Sequence, residues 1–351
     1  MKQLQPFPRQ RVWWKRADVF LLLLAAAVIL FALRLFCGAE GFQAPLVSPC
    51  AAEPVPVEPV EGGSGGVGGR EVEAMPESGS PVRFLMLNAE NYFVPGEIQR
   101  SRYVNSPKPE AEREAVAEVI ASVKPEIVGL MEMGGPLAVE DLRQRLSERG
   151  LHYSYTRVLT RGGEERALAL LSVYPAVADD SRADYGLFGQ QKRKMLRGIL
   201  DITLRLHDGR LFCFLGAHLK SRLGEQGAAA SLRQREAQTL ALYIQKKMEL
   251  QPNLPMVVFG DWNDNPHDSS IRLLEQGCSS TSALRRLRPR DSRGEEWTLY
   301  YRRGSVYSTF DHIFLNEPMK RRPRCGVDCG IVDIPAARKA SDHRAVWCVL
   351  R

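Results

Sequence analysis

Short runs of apolar residues recur along this chain, and most of them stop at a polar cluster. Met256-Val257-Val258-Phe259 reads as a buried strand, and it runs into Gly260-Asp261-Trp262-Asn263-Asp264-Asn265-Pro266, a stretch that must turn. Arg83-Phe84-Leu85-Met86-Leu87 closes on Asn88-Ala89-Glu90-Asn91, and Ile127-Val128-Gly129-Leu130-Met131 closes on Glu132. Leu211-Phe212-Cys213-Phe214-Leu215 ends in Gly216-Ala217-His218-Leu219-Lys220-Ser221. The order reverses near the C-terminus. There Ser308-Thr309-Phe310-Asp311-His312 leads into Ile313-Phe314-Leu315, and Ser341-Asp342-His343 precedes the run Ala345 to Leu350.

Between these strands the period changes. A helix fits Glu110 to Val123, with Val116, Ile120 and Val123 on one face and Pro125 as its stop. Helical patterns return at Val139 to Glu148, at Ala228 to Leu250 and briefly at Asp268 to Glu275. Leu168 to Ser172 reads as a strand, and Ile199 to Leu206 alternates as a half-buried one. The turn signal Asp208-Gly209 predicts a hairpin between Ile199–Leu206 and Leu211–Leu215. Asp180 to Lys194, polar and basic, reads as a surface loop.

The N-terminal part follows neither pattern. Val19 to Leu33 is an uninterrupted apolar run of 15 residues, preceded by Lys2, Arg9, Arg11, Lys15 and Arg16. Arg34 can snorkel to the interface and let the segment extend to Cys37, so residues 1–37 read as a basic segment and an uncleaved membrane anchor. The positive flank places the N-terminus in the cytoplasm and the rest of the chain outside it, or secreted if the segment is removed. Residues 38–82 hold repeated Pro, Glu and Val and then a glycine tract, which cannot bury a core and so reads as a flexible tether. Residues 83–351 form the globular part.

Charge sharpens this division. The 351-residue chain carries a formal +7, but residues 1–37 carry +5 and the tether −6, leaving +8 on residues 83–351. A basic domain on an acidic tether favours phosphorylated or polyanionic partners. Arg285 to Arg293 and Lys320-Arg321-Arg322-Pro323-Arg324 are charge runs that read as solvated loops, or as nucleic-acid backbone contacts if they border a cleft. Cys213 and Cys348 lie on apolar strands and should be buried, whereas Cys325 and Cys329 are placed to pair in an oxidising compartment.

Asn88, Glu132, His218, Asp261 with Asn263, Asp311, and Asp342 with His343 each sit at a strand end. Six such endings, separated by helices and hairpins, imply strand ends converging on one pocket. The donors are carboxylates, amides and two histidines without a thiolate, a set suited to Mg²⁺ or Mn²⁺ rather than to a closed zinc site. His312 reads as a neighbour of the pocket and Trp262 as a packing residue.

In order, the motifs are Leu87-Asn88-Ala89-Glu90-Asn91, Leu130-Met131-Glu132, Ala217-His218-Leu219-Lys220-Ser221, Gly260-Asp261-Trp262-Asn263, Phe310-Asp311-His312 and Ser341-Asp342-His343. With them the chain resembles the endonuclease/exonuclease/phosphatase superfamily, which includes pancreatic-type deoxyribonucleases, abasic-site endonucleases, neutral sphingomyelinases and inositol-polyphosphate phosphatases. The resemblance spans Arg83 to Arg351 and implies an α/β four-layer sandwich of two packed β-sheets flanked by helices. It implies Glu132 as principal metal ligand, with Asn88 and Asp342 nearby. Asp261 would orient or deprotonate the attacking water, and Asn263 would hold a phosphate oxygen. His343, its tautomer set by Asp311, would contact the scissile phosphate, and His218 would be a phosphate donor or leaving-group acid.

Two positions depart from that pattern: Gly216 stands where many members carry an asparagine, and Glu126 where a strand-leading aspartate is usual. Lys194, Arg197 and Tyr185 are three candidates for a phosphate-binding position in an intervening loop. The leading expectation is a membrane-anchored, Mg²⁺-dependent nuclease with a monomeric extracytoplasmic domain and nucleic acid as substrate. A sphingomyelinase-like phospholipase C or a phosphomonoesterase on the same fold is one alternative, and a non-catalytic binding module is another. Asp264-Asn265-Pro266 after Asn263 is unlike the Asn-Tyr-Arg pattern of inositol phosphatases.

Overall fold

The computed structural model describes residues 79–97, 106–162, 164–223, 226–322 and 324–351, all within one compact unit, Val72–Arg351. The apolar run Val19–Leu33 and most of the tether lie outside the described residues. Among the described residues no helix is long and apolar enough to cross a membrane.

In chain order the strands are β1 (Val82–Tyr92), β2 (Ile127–Met133), β3 (Tyr155–Arg161), β4 (Glu164–Ser172), β5 (Ala176–Asp179), β6 (Gly186–Leu187), β7 (Gln190–Lys194) and β8 (Leu200–Arg205). They continue with β9 (Leu211–His218), β10 (Met256–Asp261), β11 (Arg285–Arg286), β12 (Leu299–Tyr301), β13 (Val306–Ser308), β14 (Asp311–Leu315), β15 (Cys329–Ile331) and β16 (Val346–Leu350). The helices are α1 (Glu110–Val123), α2 (Pro136–Ser147), α3 (Gln226–Leu250), α4 (Ser269–Gln276), α5 (Glu317–Lys320) and α6 (Ala337–Ala340). One six-stranded sheet runs β15-β16-β1-β2-β4-β3, and a second runs β11-β14-β10-β9-β8-β5.

The period of 2 along each central strand divides its side chains between two cores. Phe84 and Met86 of β1 face the inter-sheet core, together with Phe212 and Phe214 of β9, Val257 and Phe259 of β10, and Ile313 and Leu315 of β14. Leu85 and Leu87 face outward against Val116 and Ile120 of α1 and Leu142 of α2. Val258 and Leu215 face Leu240 and Ile244 of α3 and Ile271 of α4. Helix, sheet, sheet and helix therefore stack in four layers. Strands buried on both faces explain why their sequences read as continuous apolar runs.

At the centre Phe84 packs on Phe214 and Phe259 with ring centroids 5.2 and 5.0 Å apart. Phe259 fits because both sheets offer a glycine to it. A Cβ at Gly129 would lie 2.2 Å from its ring, and one at Gly216 would lie 2.7 Å away. The departure at Gly216 is thus a packing requirement: a side chain there would collide with Phe259, leaving no room for an amide.

The expected helix Glu110–Val123 and the hairpin across Asp208-Gly209 form as the sequence predicts. Two loops differ from expectation. Within Asp180 to Lys194 the chain pairs β6 with β7, and Arg285-Arg286 add a short edge strand to β14 instead of lying in solvent. There Arg286 is paired with Glu275 at 3.1 Å and Arg285 donates to the Cys325 carbonyl. Cys325 and Cys329 are unbonded thiols, and Cys329 lies across the ladder from the buried Cys348.

Candidate active site

The inward face of each central strand is apolar until its last residue. On β10 the inward series Val257, Phe259 ends at Asp261; on β9 it ends at His218; on β14 it begins at Asp311. Register sets the three side by side: Asp261 pairs with His218 in the parallel ladder and with Asp311 in the antiparallel one. From the facing sheet, the β1 series Phe84, Met86 continues to Asn88. The polar cluster is therefore the rim of the inter-sheet core, which seals it: Asn88 and Asp261 are 1% exposed, His218 and Asp311 2%.

Asn88 Nδ2 donates to Asp261 Oδ2 at 2.9 Å, which ties the two sheets together, and lies 3.5 Å from His343 Nε2. His343 is hydrogen-bonded through Nδ1 to Asp311 Oδ2 at 2.8 Å, and its Nε2 is 3.7 Å from Asp261 Oδ2. His218 Nε2 lies 3.4 Å from the same Asp261 oxygen and 3.9 Å from Glu132 Oε1. The Asn263 backbone donates to Asp261 Oδ1 at 2.9 Å, and Asn263 Nδ2 donates to the Leu219 carbonyl. Ser341 Oγ donates to the Asn88 carbonyl and accepts from the His343 N–H, fixing the loop that presents His343. Asp311 Oδ1 and His218 Nδ1 are two of nine buried side-chain atoms without a partner among the described residues. A buried polar atom left unpaired costs stability, and it is what a site holds ready for a ligand.

The two histidines are charged differently. Burial disfavours the imidazolium at His343, but Asp311 and Asp261 outweigh it and hold that ring well above the usual range. His218 is held well below it, by burial first and then by the positive charges of Arg197, His343 and Arg166. Burial and the charge of Asp311 push Asp261 up to about 7, with His343 opposing.

Backbone geometry breaks the alternation at the remaining positions. Glu132, with φ of 56°, lies at a register shift between β2 and β4, and Glu90 and Asn91, with φ of 44° and 53°, lie at one between β1 and β2. Asn263 also adopts a left-handed φ, 52°. Such bulges re-aim side chains at a sheet rim. Next to them Gly260 is obligatory, since a Cβ there would sit 1.9 Å from the Ala217 carbonyl oxygen.

These bulges assemble an acidic edge. The Asp342 N–H donates to Glu90 Oε2 at 2.9 Å. Burial, then the charges of Asp342 and Glu132, raise the Glu90 carboxyl; burial, then Glu132 and Asp311 against the opposing His343, raise that of Asp342. No three His, Cys, Asp or Glu side chains among the described residues close into a cage. Mutually repelling carboxylates on an open edge nevertheless fit a hard, partly hydrated Mg²⁺, which takes one or two carboxylates and keeps several waters. Glu132 and Asp342 offer that edge, with Glu90 beside them. Beside that edge the Asn88 amide nitrogen holds Asp261, and its oxygen accepts the Glu90 N–H at 3.1 Å.

Three contributors were not assigned from the sequence. Glu90 lies two residues after Asn88, within the register shift that breaks the alternation. Arg166, 3.3 Å from Glu132 Oε2 and bonded to Asn91, follows Glu164 and Glu165 and belongs to none of the strand-end motifs. Arg197 was one of three loop candidates; it is buried and reaches the Leu219 carbonyl beside His218 at 3.4 Å. Tyr185 instead packs edge-on against Tyr243, and Lys194 belongs to the β6–β7 hairpin. His312 bonds the Asp264 carbonyl and Trp262 packs on Phe314, both as neighbours of the cluster.

A two-sheet sandwich thus carries oxygen donors and two histidines at one rim. The chain belongs to the Endonuclease/Exonuclease/phosphatase family, which it matches over residues 98–343. No curated protein sequence matches it. Among solved structures it is similar to the human Nocturnin catalytic domain with bound sulfate (17% identity, 77% of this chain and 94% of that one, TM-score 0.55). It is also similar to an endonuclease/exonuclease/phosphatase from Bacteroides vulgatus (17% identity, 78% and 99%, TM-score 0.57). A third is D. rerio TDP2 complexed with single strand DNA product (17% identity, 78% and 100%, TM-score 0.53). At these identities the likeness is one of fold.

Proposed function

We propose that this protein is a divalent-metal-dependent phosphodiester hydrolase acting on nucleic acid. The observation that carries the reading is the in-register row His218, Asp261, Asp311, closed from the facing sheet by Asn88 and from the last loop by His343. Hydrolysis of a phosphodiester needs a positioned water, neutralisation of phosphate charge and a proton for the leaving oxygen. Asp261, with its affinity for protons raised to about neutral pH, orients the water and accepts its proton. His343 keeps Nδ1–H on Asp311 and presents Nε2–H to a phosphate oxygen. Neutral His218, with Arg197 behind it, is the second donor to the phosphate, and either histidine can serve the leaving oxygen. Glu132 and Asp342, with Glu90, would hold Mg²⁺, which when bound supplies charge neutralisation and acidifies its water. Crystallisation of the neighbouring D. rerio TDP2 with single-strand DNA product supports nucleic acid as the substrate class.

The positive flank and the apolar run Val19–Leu33 support a single-pass anchor with this domain outside the cytoplasm. Protease added to intact cells should then remove the domain; protection until the membrane is broken would contradict that placement.

The reading is tested by incubating the full chain with Mg²⁺ and single-strand DNA, duplex DNA, RNA or sphingomyelin. Cleavage of nucleic acid is expected. Cleavage of sphingomyelin alone would contradict the substrate class, and cleavage of none would contradict the activity.

A further inference from the structure

The hairpin β12–β13 belongs to neither large sheet. A two-stranded ribbon is marginal on its own, yet this one carries unusual apolar area into solvent: Tyr307 is 59% exposed, Val306 50% and Tyr301 38%. Its aromatic residues are ordered in a row. Tyr300 and Tyr307, directly opposite in the ladder, stack with centroids 4.7 Å apart and planes 26° apart. Tyr307 meets Trp297 at 4.8 Å, and the Arg344 guanidinium lies 4.0 Å over the Trp297 ring. Asp291 holds Arg344 in place at 2.7 Å.

The hairpin is footed on the candidate active site. The Tyr300 N–H donates to the Asp342 carbonyl at 3.0 Å, the Arg344 N–H donates to the Thr298 carbonyl at 2.7 Å, and Leu299 bridges His343. Thr298 Oγ1 accepts the Asp311 N–H at 3.1 Å, so Asp311 and the two chain neighbours of His343 are bonded to its base. Its turn carries Arg302 and Arg303, exposed and without an ion pair among the described residues.

We infer that this hairpin is a base-stacking platform for an unpaired nucleotide flanking the scissile phosphate, and that it selects single-stranded nucleic acid. This deepens the hydrolase reading and rests on it. Exposed aromatic surface continuing a stacked row is matched by an unpaired base, and bases inside a duplex already cover one another. The two free arginines match the backbone phosphates on either side of the stacked base.

The test is binding of a labelled 12-nucleotide oligothymidylate, and of an abasic 12-mer with the same phosphates, to the full chain in detergent with chelator present. The wild-type protein should prefer the thymidylate by about tenfold or more. Tyr307→Ala should lose about tenfold on the thymidylate and nothing on the abasic strand. Tyr307→Phe should restore the affinity. Should the alanine variant melt early, Tyr307→Leu, apolar but without a ring face, takes its place. Equal wild-type affinity for the two strands, or thymidylate affinity unmoved in the ringless variant, would overturn the inference. Unmoved affinity together with bromolipid quenching that disappears in Trp297→Phe would also overturn it, in favour of a lipid surface. Because binding is read without turnover, a protein that cleaves no phosphodiester would fail the hydrolase reading and leave this result standing.

Discussion

Asp201 and Asp261 lie on the same sheet, on the two strands flanking β9, and each is 1% exposed. Their surroundings differ in kind. Around Asp201 every valence is met: Lys247 Nζ lies 2.6 Å from both carboxylate oxygens, the Tyr243 hydroxyl donates at 2.5 Å and the Cys213 thiol at 3.3 Å. No left-handed residue lies among these groups. Around Asp261 the count does not close, since His218 Nδ1 and Asp311 Oδ1 have no partner among the described residues. Glu90, Asn91, Glu132 and Asn263, four of the seven non-glycine residues with positive φ among those described, gather there. Burial of charge is common to both clusters and marks neither as functional. Unmet hydrogen-bonding capacity combined with strained backbone separates a site from a scaffold.

The sharpest separation should come from the metal. Excess chelator is expected to abolish hydrolysis, with recovery on adding Mg²⁺, and to leave the melting temperature nearly unchanged, because the Asp201 cluster needs no ion. Full activity in chelator would remove Glu132 and Asp342 from the role assigned to them. Next in size, His343→Asn should slow turnover by about 10²–10⁴-fold while the melt stays within a few degrees of wild type. A near-wild-type rate in a well-folded variant would make His343 scaffold after all.

Lys247→Met should show the opposite split. It strands the Asp201 carboxylate in the core, a loss of about 3–5 kcal/mol, or roughly 10 °C in melting temperature for a domain of this size. The folded protein should keep its rate. A large drop in rate at unchanged stability would place that cluster in function and erase the comparison. The smallest effect is at the strained backbone. Glu132→Gly removes a left-handed side chain and a like-charge neighbour of Glu90, but also the partner of Arg166 and the acceptor of the Asn91 N–H, so the gains and losses should nearly cancel and change stability by no more than about 1 kcal/mol while lowering activity. A destabilisation of several degrees would show that Glu132 holds the fold together.

The strand-end clusters were legible because inward alternation carries each apolar series directly to its polar terminus, as in Val257, Phe259, Asp261. That rule fails where the chain bulges: nothing local announces that Glu132 turns out of register or that Glu90 joins Asp342. Arg166 was hidden for a different reason, since a charge beside Glu164 and Glu165 becomes a site residue only when β4 is laid against β2. The aromatic row at Trp297, Tyr300 and Tyr307 depends on a hairpin whose turn signal, Gly304-Ser305, joins strands of only three residues each. The short strands β6, β7 and β11 were missed because edge and ribbon strands bury too little to show apolar periodicity. The helices α1 and α3 were read nearly to their ends, since Pro125 and long amphipathic runs are local signals.

The central claim, that His343 and Asp311 act as one catalytic unit at the polar rim of the inter-sheet core, is tested most directly by a double-variant cycle. His343→Asn, Asp311→Asn and the pair are assayed for turnover under saturating Mg²⁺, with thermal melts as the folding control. If the carboxylate works by orienting the imidazole across their 2.8 Å hydrogen bond, losing both should cost little more than losing one. Losses in the pair that equal the product of the single losses, in well-folded proteins, would contradict it.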